Sequence, residues 1–348
     1  MKGFILLFLA ACSMLHAFER RIGLLVRSDF RGELSHAYRI QAACKNIGWK
    51  ADVIERKHSR KLKKSNYDFV INLAPIAYKH PKCKNYLAIF DPVHHYFDEG
   101  GKLSNHHSFY DGYLLTYAAD SFEGGKENFP HSSGSPCMRW YPTVQRREYR
   151  KTDPSSLFYI CCTWGDRFQD EKFQQLMSLL DKEPYMRFFG SPAVQSLYPQ
   201  SYQGMIPYDS ESLYEVAAEA GVVLVLHSST HNAYGLPSGR IFEAAASSAV
   251  IICDQNPFVR EHFGDAVLYI DTDRDSLQIH GQIQSHMNWI RANKNEALEK
   301  ARRAHAIYNE RFLLEDQLLQ LGEFHDRLSI KPKHFIWAWL EAIGSSEM

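Results

Sequence analysis

The chain has no surplus of charge: its 40 lysines and arginines are cancelled by 40 aspartates and glutamates, which argues against a nucleic-acid or lipid-surface binder held by charge alone. It also has no CxxC pair among its seven cysteines, so neither a zinc ribbon nor a disulfide framework is encoded. Scattered thiols inside apolar runs, such as Cys161, Cys162 and Cys253, read as buried and suit a reducing compartment. There is no long low-complexity tract, and at roughly 100–200 residues per domain a chain of 348 residues holds two cores. Finally, no apolar run reaches the roughly 20 residues that a membrane-spanning helix needs.

What is present begins with a leader. Lys2 precedes an apolar stretch from Gly3 to Ala17 that resembles a signal peptide, and Leu9-Ala10-Ala11-Cys12 resembles a lipobox. Arg20 and Arg21 directly after it would hold an anchor to the cytoplasmic side. The expectation is a cytoplasmic protein, with tethering to the inner face of the membrane or export through the leader left open.

Beyond the leader the sequence alternates buried-strand and helix patterns. Arg21 to Val26 (RIGLLV) is followed by a polar turn and a helix from about Leu34 to Ile47. Further apolar runs follow at Lys50 to Glu55, Asp68 to Leu73, Tyr86 to Phe90 and Gly112 to Tyr117. A polar stretch from Asp120 to Pro154 reads as an exposed connection, after which a second series starts at Leu157 to Cys162. It continues at Tyr185 to Phe189, Val222 to His227, Val250 to Asp254 and Val267 to Asp271, then gives way to helices over about 276–292 and 295–312. Runs apolar on both faces indicate parallel sheets. The expected architecture is α/β: two Rossmann-like lobes facing across a cleft, with a helical C-terminal segment. Residues 1–17 form the leader, 18–150 the first lobe, 151–325 the second, and 326–348 a terminal helix containing the aromatic stretch Phe335 to Ile343. Ligands of such sheets bind outside the carboxyl ends of the strands.

Chemistry concentrates in the second lobe. In Tyr234 to Asp254 a Gly/Pro/Ser loop opens a helix that leads into a buried strand, with Ser238 as the N-cap. The free N–H groups of Gly239 and Arg240 would face outward, where the helix dipole favours a phosphate. Glu243, one turn on, would then reach a ribose. An ordinary capped helix with a surface glutamate fits the same residues. Arg167, after Thr163-Trp164-Gly165-Asp166, and Lys172 flank the end of the lobe's first strand. A guanidinium and an ammonium there could stabilise a diphosphate leaving group as its charge grows.

Over roughly Leu157 to Leu321 the chain resembles the C-terminal domain of GT-B glycosyltransferases of the group 1 type, in particular the spore-maturation-protein-like branch. The pieces that carry the resemblance are Gly165-Asp166-Arg167 with Lys172, Phe188-Phe189-Gly190, Tyr202 to Ile206, Leu213-Tyr214, Gly235 to Ala246, and Phe263-Gly264-Asp265. The resemblance implies that Arg167 and Lys172 hold the donor diphosphate, that Ile206 meets the base through its backbone, and that Glu243 binds the ribose; Gly165, Ser238, Gly239 and Arg240 complete the expected donor-binding set. One departure stands out. The earlier glutamate of this family falls on Gly235, so its sugar-contacting role is vacant and a retaining or inverting course is open.

The first lobe is expected to bring the acceptor and a base. Its candidates are Asp29 and the phosphate-loop residue Gly32, then Asp91, His94 and His95, then His106 and His107, imidazole having the pKa that suits a general base. No metal site is expected. Adjacent histidines diverge and chelate poorly, and Asp271-Thr272-Asp273 has the position of a turn or cap. No cofactor is implied, because the nucleotide-sugar is a substrate. The expected partners are a nucleotide-sugar donor and a glycan, lipid-linked or protein acceptor, with no nucleic acid and with membrane association open. Two other readings remain: an exported two-lobed binding protein without catalysis, and a degenerate glycosyltransferase.

Overall fold

The computed structural model describes residues 19–27, 31–55, 58, 66–73, 79–90, 109–116, 135–162 and 166–329. The leader, Asp29, Asp91, His94, His95, His106, His107, Thr163, Trp164, Gly165 and the terminal aromatic stretch lie outside these residues.

Two six-stranded parallel sheets form the frame. The first comprises β1 (Arg21–Val26), β2 (Lys50–Glu55), β3 (Phe69–Asn72), β4 (Lys84–Ile89), β5 (Gly112–Leu115) and β6 (Cys137–Arg139), in the order β2-β1-β3-β4-β5-β6. The second comprises β7 (Ser156–Cys161), β8 (Met186–Gly190), β9 (Tyr202–Gly204), β10 (Gly221–Val225), β11 (Val250–Asp254) and β12 (Leu268–Ile270), in the order β12-β11-β10-β7-β8-β9. Burial explains the strands: β10 and β11 are buried at every position, as β-branched and apolar runs covered by helices on both faces must be. The expected pair of Rossmann-like lobes is what the chain forms.

Helices complete the layers. In the first lobe α1 (Arg31–Asn46) covers β1 and β2; in the second, α2 (Asp166–Gln169) and α3 (Glu171–Leu180) follow β7. After them come α4 (Pro192–Leu197), α5 (Ser212–Ala220), α6 (Ser229–Ala233), α7 (Gly239–Ala246), α8 (Pro257–Phe263), α9 (Ser276–Ala292), α10 (Lys294–Arg311) and α11 (Leu314–Ser329). Local sequence sets several starts: Asp170 accepts from the Lys172 N–H to cap α3, and Asp275 accepts from the Gln278 N–H to cap α9.

Two expectations about the boundary need correction. The segment read as an exposed connection instead supplies the edge strand β6 and then buries Trp140 in the first core and Val144 in the second. The second lobe does not run to residue 325 either. Its chain crosses back after α10, and Leu314, Leu318, Leu321 and Phe324 of α11 pack into the core of the first lobe. The physical reason is the unfilled apolar face beside Trp49, Phe69 and Tyr86, which α11 covers.

The two crossings of the chain are tied together. Leu314 N–H donates to the Val144 carbonyl, and the rings of Tyr141, Phe242, Phe258 and Phe312 cluster with centroids 5.2–6.0 Å apart. Phe242 belongs to α7, so this cluster fixes the helix on which the candidate site is built.

Candidate functional site at the carboxyl ends of the second sheet

The carboxyl ends of β7, β10, β11 and β12 carry the charged groups singled out from sequence. Arg167, in α2, stacks its guanidinium over Phe173 at 4.3 Å and donates through Nη2 to Asp254 Oδ2 at 2.9 Å. Asp254 is the last residue of β11 and is wholly buried. The same carboxylate faces His227 Nδ1 at 2.7 Å and accepts from the His227 N–H at 2.8 Å and from Asn232 Nδ2 at 3.1 Å. Burial pushes the Asp254 pKa up, but His227 and Arg167 outweigh it and hold the carboxyl below its ordinary range.

Lys172 crosses the strand ends in the other direction, donating from Nζ to the Thr272 carbonyl at 2.8 Å, just past β12. Because β11 and β12 are neighbours, the two cations are anchored over adjacent strand ends. Arg240 joins them from α7: both it and Arg167 act on the phenol of Tyr159 in β7, opposing the burial that raises that group's pKa. The structure thus anchors Arg167 and Lys172 at one end of one sheet, with Arg240 on the helix that leads into β11.

Glu243 is not the surface glutamate of the alternative reading. It is 4% exposed, and each oxygen is taken by a guanidinium: Arg39 Nη1 donates to Oε1 at 2.6 Å, and Arg240 Nη1 donates to Oε2 at 2.5 Å. Burial raises its pKa, yet Arg240 and Arg39 together hold it below the usual carboxylate range. Two arginines around one carboxylate leave the cluster net positive, and a carboxylate with one bond per oxygen still has acceptor capacity.

Ser238 sits at the N-cap of α7 with extended backbone, but its hydroxyl makes no cap hydrogen bond and is buried. The lack of a Cβ at Gly239 serves a close approach other than the expected one. A Cβ there would lie 3.1 Å from the Pro142 carbonyl oxygen, so the glycine lets the interlobe connection pass over the helix start. Ile206 follows β9 and packs its side chain into the second core beside Tyr214. Gly32 stands in the first turn of α1, at the carboxyl end of β1, with open space beside its Cα.

Asp271 closes a turn, accepting from the Asp273 N–H at 3.0 Å and from Arg274 Nε at 2.9 Å, and Asp275 is the cap of the helix that follows. Among the described residues, His227, Cys253 and Asp254 bring possible metal-ligand atoms within 4.8 Å of one another. These atoms bond to each other and to Arg167, whose charge opposes a second cation, and burial with the neighbouring Asp254 pushes the Cys253 thiol well above its usual pKa. Sequence reading missed Arg39, His227 and Asp254. Only Asp254 had a signal, as the acidic end of a buried strand.

Residues 169–321 match the family model described as glycosyl transferase-like. No curated protein matches the sequence. Among solved structures, HepE of Anabaena in complex with UDP and glucose aligns with a TM-score of 0.57 and 12% identity, covering 88% of this chain and 99% of that one. Sucrose-phosphate synthase of Thermosynechococcus elongatus aligns with a TM-score of 0.55 and 12% identity over 89% of this chain and 99% of that one. A TarM variant of S. aureus, in complex with Fondaparinux, alpha-GlcNAc-glycerol and UDP, aligns with a TM-score of 0.52 and 13% identity over 76% and 57%. These matches do not single out the spore-maturation-protein-like branch. Residues 169–321 are thus similar to a glycosyl transferase-like domain, and the two lobes together have the GT-B fold.

Proposed function

We propose that the protein transfers a sugar from a nucleoside-diphosphate donor to a hydroxyl acceptor. The observation that carries this reading is the anchoring of Arg167 and Lys172 over adjacent strand ends of the second sheet, where open α/β folds bind their ligands. Fold likeness to HepE, which was solved with UDP-glucose, supports the donor class.

Bond cleavage leaves charge on the diphosphate. Arg167 and Lys172 stabilise that charge, and because it is larger in the transition state than in the bound donor they lower the barrier more than they tighten binding. These side-chain cations supply this without a metal, so the reaction is metal-independent. Ile206 presents its backbone to the base, Glu243 receives the ribose hydroxyls, and Gly165, Ser238 and Gly239 belong to the donor-binding segments around them. The first lobe brings the acceptor, a glycan, lipid-linked or protein hydroxyl, past Gly32. Asp91, His94 and His95 are the candidates for the group that takes the acceptor proton.

No helix among the described residues is long and apolar enough to cross a membrane. Activated sugars are made in the cytosol, and the protein works there, with the leader as a potential tether.

Incubation with a panel of UDP-, GDP- and ADP-sugars and simple glycan acceptors tests the function by mass spectrometry. The expected result is a hexose added to an acceptor with release of nucleoside diphosphate, undiminished by EDTA. Absence of both transfer and donor hydrolysis across the panel refutes it.

A further inference from the structure

Arg39 lies in the middle of α1, in the first lobe, yet its guanidinium is only 8% exposed and ends on Glu243, 204 residues away in the second lobe. Its Nε also donates to the Ser35 carbonyl at 3.3 Å, which locks the stem to its own helix. Tyr214, of α5, lies within electrostatic reach of both Arg39 and Glu243. The other guanidinium on Glu243, that of Arg240, stands three residues away on the same helix and is 37% exposed.

These two contacts do different work. Arg240 moves with α7 and neutralises the carboxylate whatever the first lobe does. Arg39 fixes Oε1 from outside, and a buried ion pair between separate elements restrains geometry even where its net contribution to stability is small.

We propose that Arg39 is a positioning residue of the donor site: it holds the Glu243 carboxylate in the orientation that receives the donor ribose and so makes ribose recognition depend on the first lobe. This rests on the assignment of Glu243 to the ribose under the proposed function. Under that assignment the diphosphate belongs to Arg167 and Lys172 and the base to Ile206, so removal of Arg39 weakens the ribose contact alone. A clamp that merely held the lobes together would weaken every ligand of the site alike.

The test compares the full-length protein with Arg39→Ala and Arg39→Lys by titration calorimetry. UDP, GDP, ADP and CDP are screened on the wild type, and the tightest binder is compared with its 2′,3′-dideoxy form. In the wild type the ribose form binds about tenfold tighter, the scale of one hydrogen bond to a charged group. In Arg39→Ala that preference collapses toward one while affinity for the dideoxy form is kept, and Arg39→Lys restores part of it. If Arg39→Ala unfolds, the lysine variant decides, since a preference equal to wild type there overturns the inference. A wild-type preference retained in Arg39→Ala, or an equal loss for both nucleotides, also overturns it while leaving the donor assignment standing. Failure of the wild type to bind any of the four removes the donor assignment itself, and this inference with it.

Discussion

Arg167 and Asp254, 87 residues apart in sequence, meet at 2.9 Å at the end of β11, and that contact aligns a cation over the strand ends from a carboxylate that no solvent reaches. Asp254 also holds His227, so a single buried acid organises much of this side of the site.

Replacing Asp254 with Asn leaves Arg167 without its counter-charge and His227 without its carboxylate partner at nearly constant volume. Breaking a buried pair from one side costs about 3–5 kcal/mol, so the urea midpoint should fall by a corresponding amount. The pH dependence has a defined sign. The folded-state pKa values of Asp254 and Glu243 are both depressed, so their contribution is present above the unfolded carboxyl values of about 4 and is lost as pH falls through the lower folded values. Urea titrations between roughly pH 5 and pH 2 should show a shallower acid loss in Asp254→Asn. An unchanged acid limb would show that Asp254 is not the titrating group.

Arg167→Ala and Lys172→Ala should lower turnover more than they weaken donor binding. Removing one preorganised donor to a developing oxyanion costs about 10²–10³ in rate. Arg167 carries the larger effect because its guanidinium is oriented by a buried carboxylate as well as by Phe173 at 4.3 Å, whereas Lys172 is held by a neutral carbonyl and lies farther from that ring, at 5.2 Å. Equal losses in KM with kcat untouched would mean that these cations bind substrate without favouring the transition state.

Gly221 joins α5 to β10 with φ of +78°, and a Cβ there would lie 2.2 Å from the Asp153 carbonyl oxygen on the interlobe connection. Gly221→Ala combines left-handed strain with that clash. A loss on the order of 3 kcal/mol or more is expected in chemical denaturation. Wild-type stability in this variant would contradict the packing of the connection against β10.

Cysteine labelling offers a view of the site without mutation. Cys44, Cys161 and Cys253 are buried, while Cys162 is exposed directly after β7 and lies close enough to Arg240 to influence it. Among the described cysteines Cys162 should alkylate first, and a bound nucleoside diphosphate should slow it. Peptide mapping after brief iodoacetamide treatment measures both, and unchanged labelling in the presence of bound nucleotide would place the ligand elsewhere.

How far the sequence revealed this arrangement depends on how local each signal is. β1, β2 and β11 have the bounds read from sequence; β1 and β11 are apolar runs buried at nearly every position, and β2 is an edge strand set by its parallel pairing with β1. The edge strands β6 (CMR) and β9 (YQG) are three residues long and incompletely buried, and their pattern is too short to carry a period. For α11, the sequence gives no clue that the helix packs across the molecule on Trp49 and Tyr86. Arg167, Lys172 and Glu243 could be picked out because they follow strand ends or a capped helix. Arg39 could not: an arginine in the middle of a helix looks like a solvated face until its partner in the other lobe is seen.

The central claim is that one anionic leaving group is gripped at the carboxyl ends of the second sheet. A crystal structure with a bound nucleoside diphosphate measures this directly. The account predicts a β-phosphate within hydrogen-bond distance of Arg167 and Lys172 at the start of α7, with the ribose hydroxyls on Glu243. A diphosphate bound away from these groups, with Arg167 still closed on Asp254 and Glu243 untouched, contradicts it.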